Sequence, residues 1–503
     1  MPVRPASTTR RDLVAAALPL LLAAAVYWPI TRSYFYADDF VHLASIHNDT
    51  FLRFVLRPYA GHNCVVGNLV FYASARLFGL RADLFFWTVL LTHLLNVWLF
   101  FRVLRALTAS GMLASFGAAL WGTLPAHEGT LGWYSVYGQA LVATALLVAL
   151  EGVTRLARTG DGPSARAAGT WYVLLLLSSA CFGVGIGVAI AFPTVLFLLL
   201  PAAWHRRRIR TAFLTLPLAT VAFYLSDRYV AALLEPFSLS ETVATRISFE
   251  RVLASRRALA GLMAAGIDSS LRSFFFSYSL LLRAVTLAIF GAGVLVLLWR
   301  GDAAIRRTVL AMTLLCLGVY APIALGRSGL IDPTLLVNTT RYHYVGSLPI
   351  IILACLVLAH LGRTASLQTV PPVAFLLAAL ALGVFGWARS DFRIDDHGAS
   401  RASFAAVLQR LDVEIASHPR EATVFLDNGK PLLALVGPFL AAGSQLLFPG
   451  RAAAFLLAHD GDELDGRRVR FVEPDPAVVA WYARFPDTPL ARLLVPPNAV
   501  PRS

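Results

Sequence analysis

The residues best suited to chemistry lie in the stretch Tyr34-Phe35-Tyr36-Ala37-Asp38-Asp39-Phe40-Val41-His42-Leu43. Two adjacent carboxylates follow shortly after an apolar run, Leu13 to Ile30, with aromatic residues on both sides. An acidic pair dragged into lipid costs several kcal/mol, so it must face water, a cation or a polar pocket. A carboxylate held at such a boundary can act as a general base. Burial raises its pKa toward the working pH, and it can take a proton from an acceptor hydroxyl. The second carboxylate can orient the first, hold a metal or bind the acceptor. The same two residues would also suit the cap of a helix starting near Phe40, where Asp is favoured.

Other polar residues offer companions. His127-Glu128 follows Pro125 at the end of an apolar run. It reads as a second acid/base or acceptor-binding group, or as a helix N-terminal acid favoured by the macrodipole. Trp133, Tyr134 and Tyr137 fit a sugar-stacking surface and an interfacial aromatic belt equally well. Arg341, in Arg341-Tyr342-His343-Tyr344, can hold a phosphate bidentately or snorkel to headgroups. His42, His62 and His343 are polar candidates in the same layer, each by itself a local hydrogen-bonding group before it is a ligand. His93 and Asn96 share an apolar run and read as helix–helix glue. No P-loop, dinucleotide fingerprint, His-Glu-x-x-His or Gly-x-Ser-x-Gly occurs in the chain, so no nucleotide cofactor is expected. A donor that arrives already activated through the lipid fits better.

The elements that must position these residues follow from composition. The chain has 503 residues, 57% hydrophobic and 14% charged, with a mean hydropathy of +0.67. That is a polytopic membrane protein rather than a soluble one. The formal charge is +14, almost all of it arginine between apolar runs. It sets topology and carries no nucleic-acid signal. The 4 cysteines lie far apart, without metal or disulfide-framework spacing. The first apolar run, behind Arg4, Arg10 and Arg11, is too long for a signal-peptide core and lacks a small-residue cleavage site. It reads as a retained first span.

Spans are expected near 12–30, 83–104, 110–125, 137–155, 170–184, 187–203, 211–229, 278–299, 307–325, 344–361 and 370–388. The turn between the fifth and sixth is expected at Gly183-Val184-Gly185-Ile186-Gly187. These eleven spans, with the N-terminus cytoplasmic, put every short arginine-rich connection inside, including the Arg300–Arg307 cluster. The expectation is a multi-pass inner (plasma) membrane protein with four extracytoplasmic loops, at 31–82, 125–136, 230–277 and 326–343. Residues 50–57 and 65–78 read as helices lying in the interface, and 230–277 as holding an amphipathic helix. Composition shifts near 390. Residues 399–417 have helical periodicity, and Glu421–Leu426, Ala453–Ala458 and Arg468–Val472 read as strands. The expected organisation is a membrane region over 1–389 and a small extracytoplasmic α/β domain over 390–503.

An Asp-Asp pair in the first outer loop resembles the GT-C membrane glycosyltransferases, which use polyprenyl-phosphate sugars. Phe78-Gly79-Leu80, followed by Leu91-Thr92-His93-Leu94-Leu95-Asn96, is similar to a run in the dolichyl-phosphate-mannose protein mannosyltransferase-like subgroup. Leu124-Pro125-Ala126-His127-Glu128-Gly129-Thr130-Leu131-Gly132-Trp133 resembles that subgroup's second-loop segment, and Arg341-Tyr342 its late arginine-tyrosine. The chain departs from the subgroup at Phe182–Gly187, where a charged segment is usual, and it lacks a tetratricopeptide tail.

The resemblance implies a GT-C-type helical bundle and an inverting transfer at the outer face. Asp38 would be the base or acceptor-binding carboxylate, Asp39 its companion or a metal ligand, Glu128 a second-loop acid and Arg341 the donor-phosphate ligand. The family has members with and without a divalent metal, so the cofactor stays open. The implied partners are a polyprenyl-phosphate sugar, a glycan, lipid or protein acceptor, and the membrane, with no nucleic acid. Two alternatives stand beside this reading. One is a non-catalytic membrane protein, either a lipid-linked sugar transporter or a scaffold, which should carry ionisable residues near the midplane of several spans. The other is an O-antigen polymerase- or ligase-like transferase.

Overall fold

The computed structural model describes residues 10–33, 35, 38–59, 62–234, 249–273, 279–327, 333–364, 374, 377–386, 422–424 and 469–471. These residues are overwhelmingly helical. In chain order the helices are α1 Arg10–Tyr27, α2 Asp38–Asn48, α3 Phe51–Val55, α4 Val65–Phe78, α5 Ala82–Thr108 and α6 Gly111–Gly122. They continue as α7 Glu128–Leu131, α8 Gly138–Thr159, α9 Ala165–Ser178, α10 Gly183–Leu199, α11 Pro201–His205 and α12 Arg207–Leu234. The last are α13 Phe249–Arg272, α14 Leu280–Arg300, α15 Ala303–Arg327, α16 Pro333–Asn338 and α17 Ser347–Thr364, with α18 at Leu377–Gly386.

Among the described residues, six helical stretches are long and apolar enough to cross a membrane: Ala15–Arg32, Ala82–Thr108, Tyr134–Thr159, Arg207–Val230, Leu280–Arg300 and Ala303–Arg327. Several other expected spans are shorter as helices. The segment expected at 110–125 is a 12-residue helix, that at 170–184 has 14 residues and that at 187–203 has 17. A straight helix rises 1.5 Å per residue, so 12 residues reach only about 18 Å.

The expected turn at Gly183–Gly187 is corrected. α9 ends at Ser178 and α10 begins at Gly183, so the reversal uses Ser179–Phe182 and the glycines form the first turns of α10. Their role is close approach. A Cβ on Gly187 would meet the Gly318 carbonyl and come within 2.7 Å of Pro322 Cγ, and one on Gly318 would come within 2.7 Å of Ala191 Cβ. α10 and α15 therefore cross with backbone nearly against backbone, as small residues allow in tightly packed helix pairs.

α5 is the other organising helix, with α1, α6 and α8 packed around it. Its polar residues are cross-links. His93 bonds the Gly122 carbonyl through Nε2 and the Tyr344 hydroxyl through Nδ1, both at 2.9 Å. Asn96 donates to the Ala140 carbonyl at 3.0 Å and accepts from Thr144 Oγ1 at 2.7 Å. Near the other end of α5, Arg102 pairs with Glu151 of α8.

The chain divides into two compact units, Met1–Arg32 with Phe51–Ile394, and Ser33–Thr50 with Asp395–Ser503. In the second unit, the described residues include α2 and two short parallel strands, β1 Ala422–Val424 and β2 Val469–Phe471. Both strands fall inside segments read as strands from sequence. The helix expected at 399–417 and the strand expected at Ala453–Ala458 lie outside the described residues.

Candidate functional site

In the first unit, two groups of polar residues gather at helix ends. The first is built on His62. The chain from α3 to α4 is pinned by Asn68, whose amide donates to the carbonyls of Phe54, Val55 and Arg57 at 3.1, 3.2 and 2.8 Å. Tyr59 and His62 then exchange backbone hydrogen bonds, and Val66 N donates to the Ala180 carbonyl at 2.9 Å. The His62 ring stacks on Phe182 with centroids 4.4 Å apart. A Cβ on Gly183 would press on that ring, 3.2 Å from Cε1, so glycine lets the ring settle against the start of α10. Arg327, the last residue of α15, donates from Nη2 to His62 Nε2 at 2.8 Å.

The second group is built on α7 and the 3-10 turn Thr340–His343. These two elements pack together. Thr130 Oγ1 donates to the Arg341 carbonyl at 3.2 Å, and a Cβ on Gly129 would come within 3.0 Å of Arg341 N. Residues two hundred positions apart are thereby joined, which brings His127, Glu128, Trp133, Arg341, Tyr342 and His343 into one region. The Arg341 guanidinium lies 5.1 Å from the ring centres of both Trp133 and Tyr342. Cation–π contacts of this kind hold an arginine in place without neutralising it.

The two groups share an electrostatic field. Burial, then the Arg327 charge, then the Arg341 charge push the His62 pKa down to about 3. Arg327 and Arg341 are half-buried, have no carboxylate partner among the described residues, and both charges act on the neutral His62 imidazole. Unneutralised guanidinium groups attract an anion, and their planar forks match phosphate oxygens.

Several expected site residues are buried and bonded to neighbouring helices. Tyr134 is 2% exposed, bonds Ser74 at 2.8 Å, stacks on Tyr137 and sits edge-on to Phe71 and Phe85. Tyr137 bonds Thr92 at 2.6 Å. Of the three rings expected as a stacking surface, Trp133 alone keeps partial exposure. His343 is buried; its Nε2 donates to the Val337 carbonyl at 2.9 Å and its Nδ1 accepts from Tyr320 at 3.0 Å. Burial holds its pKa down at about 4.

His127 is fully buried, and its tautomer follows from the surrounding bonds. Ser347 Oγ gives its one proton to the Tyr344 carbonyl at 2.9 Å and accepts from Trp121 Nε1 at 2.9 Å. His127 Nε2, 3.2 Å away, must then be the donor to Ser347. Nδ1 keeps a bare lone pair with no hydrogen-bond partner. Burial first, then the neighbouring His93 and His343, pushes this imidazole well below the usual range. Glu128 is buried in the first turn of α7.

Asp38, Asp39 and His42 belong to the second unit. The carboxylates occupy the first turn of α2 itself rather than a cap before Phe40. Asp39 is fully buried, Asp38 is half-buried and His42 is buried. No group of three or more potential metal ligands occurs among the described residues.

Two residues were not singled out from the sequence. Arg327 looked like one more arginine beside an apolar run. Asp227 was read as part of an apolar span, although a lone carboxylate inside such a run is itself a signal. In comparisons with known proteins, no family model matches this chain and no curated protein matches it.

Proposed function

We propose that the protein is a membrane glycosyltransferase that moves a sugar from a polyprenyl-phosphate donor to an acceptor hydroxyl at the extracytoplasmic face. The observation that carries this reading is that Arg327, bonded to a neutral His62, and Arg341, held over Trp133, have no described carboxylate to neutralise them while both act on His62. A lipid-borne monophosphate supplies the missing anion. Its polyprenyl tail has apolar helices to lie against, such as α14, whose Leu280, Ile289 and Trp299 are exposed.

In this reading Arg341 and Arg327 hold the donor phosphate and stabilise the charge that grows on it as the sugar leaves. Trp133 fixes the Arg341 fork. Asp38 is the base for the acceptor hydroxyl, Asp39 orients it or holds a divalent cation, and Glu128 is a second acid. The region over 390–503 selects the acceptor. An eleven-span topology with the N-terminus inside places both arginines on the extracytoplasmic side.

Identifying the lipid that co-purifies with the protein in mild detergent tests the reading. A polyprenyl monophosphate, bare or sugar-bearing, is the expected species. A pyrophosphate carrier would favour a polymerase- or ligase-like transferase, and no polyprenyl lipid at all would favour a non-catalytic role.

A further inference from the structure

The first turn of α12 carries arginines with no part in the proposed transfer. α12 packs on α9 and α10, and its residues Phe213, Leu216 and Thr220 are fully buried. Its other side is open. Leu214, Leu218, Val221 and Leu225 are exposed, Leu218 to 72%, and their spacing of three and four residues puts them in one stripe. The stripe belongs to Arg207–Val230, one of the stretches long and apolar enough to cross a membrane. From Leu214 to Leu225 it covers about 16 Å. That is close to one leaflet of a hydrocarbon core roughly 30 Å thick.

Arginines head this stripe. Arg210 lies one turn before Leu214, and Arg207 two turns before it. Helical side chains lean toward the N-terminus, so both forks lean away from the apolar stripe and toward the level of lipid headgroups. Arg210 is seated over Trp204 of α11, 5.2 Å from the ring centre. Trp204 is itself exposed and stands edge-on to Phe197 at 4.9 Å, an arrangement suited to a membrane–water interface. Arg206 fixes the corner between α11 and α12. It donates to the Pro163 carbonyl at 2.9 Å, and a Cβ on Gly162 would come within 2.8 Å of its guanidinium carbon. Neither Arg207 nor Arg210 forms an ion pair among the described residues. Two unneutralised guanidinium groups at the head of a leaflet-length apolar stripe call for a partner that is anionic at one end and apolar along the rest. A second copy of this chain fits poorly, because a two-fold axis normal to the membrane would set Arg207 against its own counterpart.

We propose that Arg207, Arg210 and Trp204, with the stripe from Leu214 to Leu225, form a binding site for an anionic phospholipid. Its phosphate rests on the two guanidinium forks, which match phosphate oxygens, and one acyl chain lies along the stripe. A choline head brings a cation beside the same arginines and a glycerol head brings none, so the site selects net negative charge. This does not depend on the donor class proposed above.

Native mass spectrometry of the delipidated full chain tests the site, with phosphatidylglycerol and phosphatidylcholine of the same acyl chains as the probes. Wild type is expected to bind the first phosphatidylglycerol roughly tenfold more tightly than phosphatidylcholine. Arg207→Gln/Arg210→Gln is expected to bind phosphatidylglycerol roughly 10- to 30-fold more weakly than wild type, and Arg207→Gln alone roughly fivefold. Arg155→Gln/Arg158→Gln removes equal charge from the end of α8, which has no exposed residue from Gly138 to Thr154, and should bind as wild type does. Equal losses in the two double variants would reduce the effect to net charge and overturn the site. No preference in wild type, a preference unchanged in Arg207→Gln/Arg210→Gln, or a dimeric wild type that takes up no phospholipid would overturn it too. Polyprenyl monophosphate displacing phosphatidylglycerol from wild type but not from Arg207→Gln/Arg210→Gln would assign the stripe to the donor lipid instead. The variants are expected to melt as wild type does, because Arg207 is exposed; a markedly lower melting temperature for Arg207→Gln would make it a structural group and contradict the assignment.

Discussion

Arg327 donates to Nε2 of His62 at 2.8 Å, and that single bond sets the state of the imidazole. An arginine has donors only, so Nε2 must be the acceptor and the ring proton must lie on Nδ1. His62 is therefore neutral, and a proton added to Nε2 would break the bond and face a guanidinium. A histidine in this state adds no third positive charge to those of Arg327 and Arg341.

Stability should consequently fall in acid. His62 in the folded protein has a pKa of about 3 against an ordinary 6.5, so between those values the unfolded chain binds the extra proton. Stability is complete above pH 6.5 and declines as the pH drops toward 3. One such group contributes about 2 kcal/mol of loss at pH 5. His343, held at about 4, adds in the same direction. His62→Gln keeps an acceptor for Arg327 and removes the titration. Melting curves from pH 7.5 to 5 should show a shallower decline for this variant than for wild type; parallel declines would assign the acid sensitivity elsewhere.

The α10–α15 crossing should tolerate no added side chain. At Gly187 the new methyl group meets the Gly318 backbone carbonyl, which cannot rotate away. Gly187→Ala is expected to cost about 1–3 kcal/mol through helix separation. Gly169, in α9 with nothing within 4 Å of its Cβ position, is the control, and Gly169→Ala should be neutral or slightly stabilising because alanine favours helix. Equal melting temperatures for the two variants would contradict the close approach.

His93 should behave as a structural cross-link. His93→Leu removes the bonds to the Gly122 carbonyl and the Tyr344 hydroxyl and leaves both groups buried. A loss of about 2–4 kcal/mol is expected, read as a lower melting temperature in detergent. Lipid binding by the surviving folded fraction should be unchanged, and a selective binding defect at normal stability would move His93 into the site.

These contrasts show what could be read from the chain alone. His93 and Asn96 were legible as helix glue, because a polar residue inside an apolar run must find a partner within the bundle. The break between α9 and α10 was legible, but its position was not. Glycine there signals a turn and a tight helix contact alike, and only the neighbouring α15 decides between them. The approach of His127-Glu128 to Arg341-Tyr342-His343 was expected only as a shared face. The packing of Gly129 against Arg341 N makes it a contact. The burial of Tyr134 was not legible, because an aromatic residue after a span fits a belt, a ligand surface or a core equally. Arg327 was hidden among topology-setting arginines, and its meaning appears only with His62 beside it.

The central claim is that Arg341, with Arg327, holds the phosphate of a lipid-linked sugar during transfer. The most direct test follows release of bare polyprenyl phosphate from a radiolabelled polyprenyl-phosphate sugar in membranes carrying wild type or Arg341→Ala at matched levels. The account expects release above protein-free membranes for wild type and roughly a hundredfold less for the variant. Equal release by wild type and Arg341→Ala, or none above background from wild type, would contradict it.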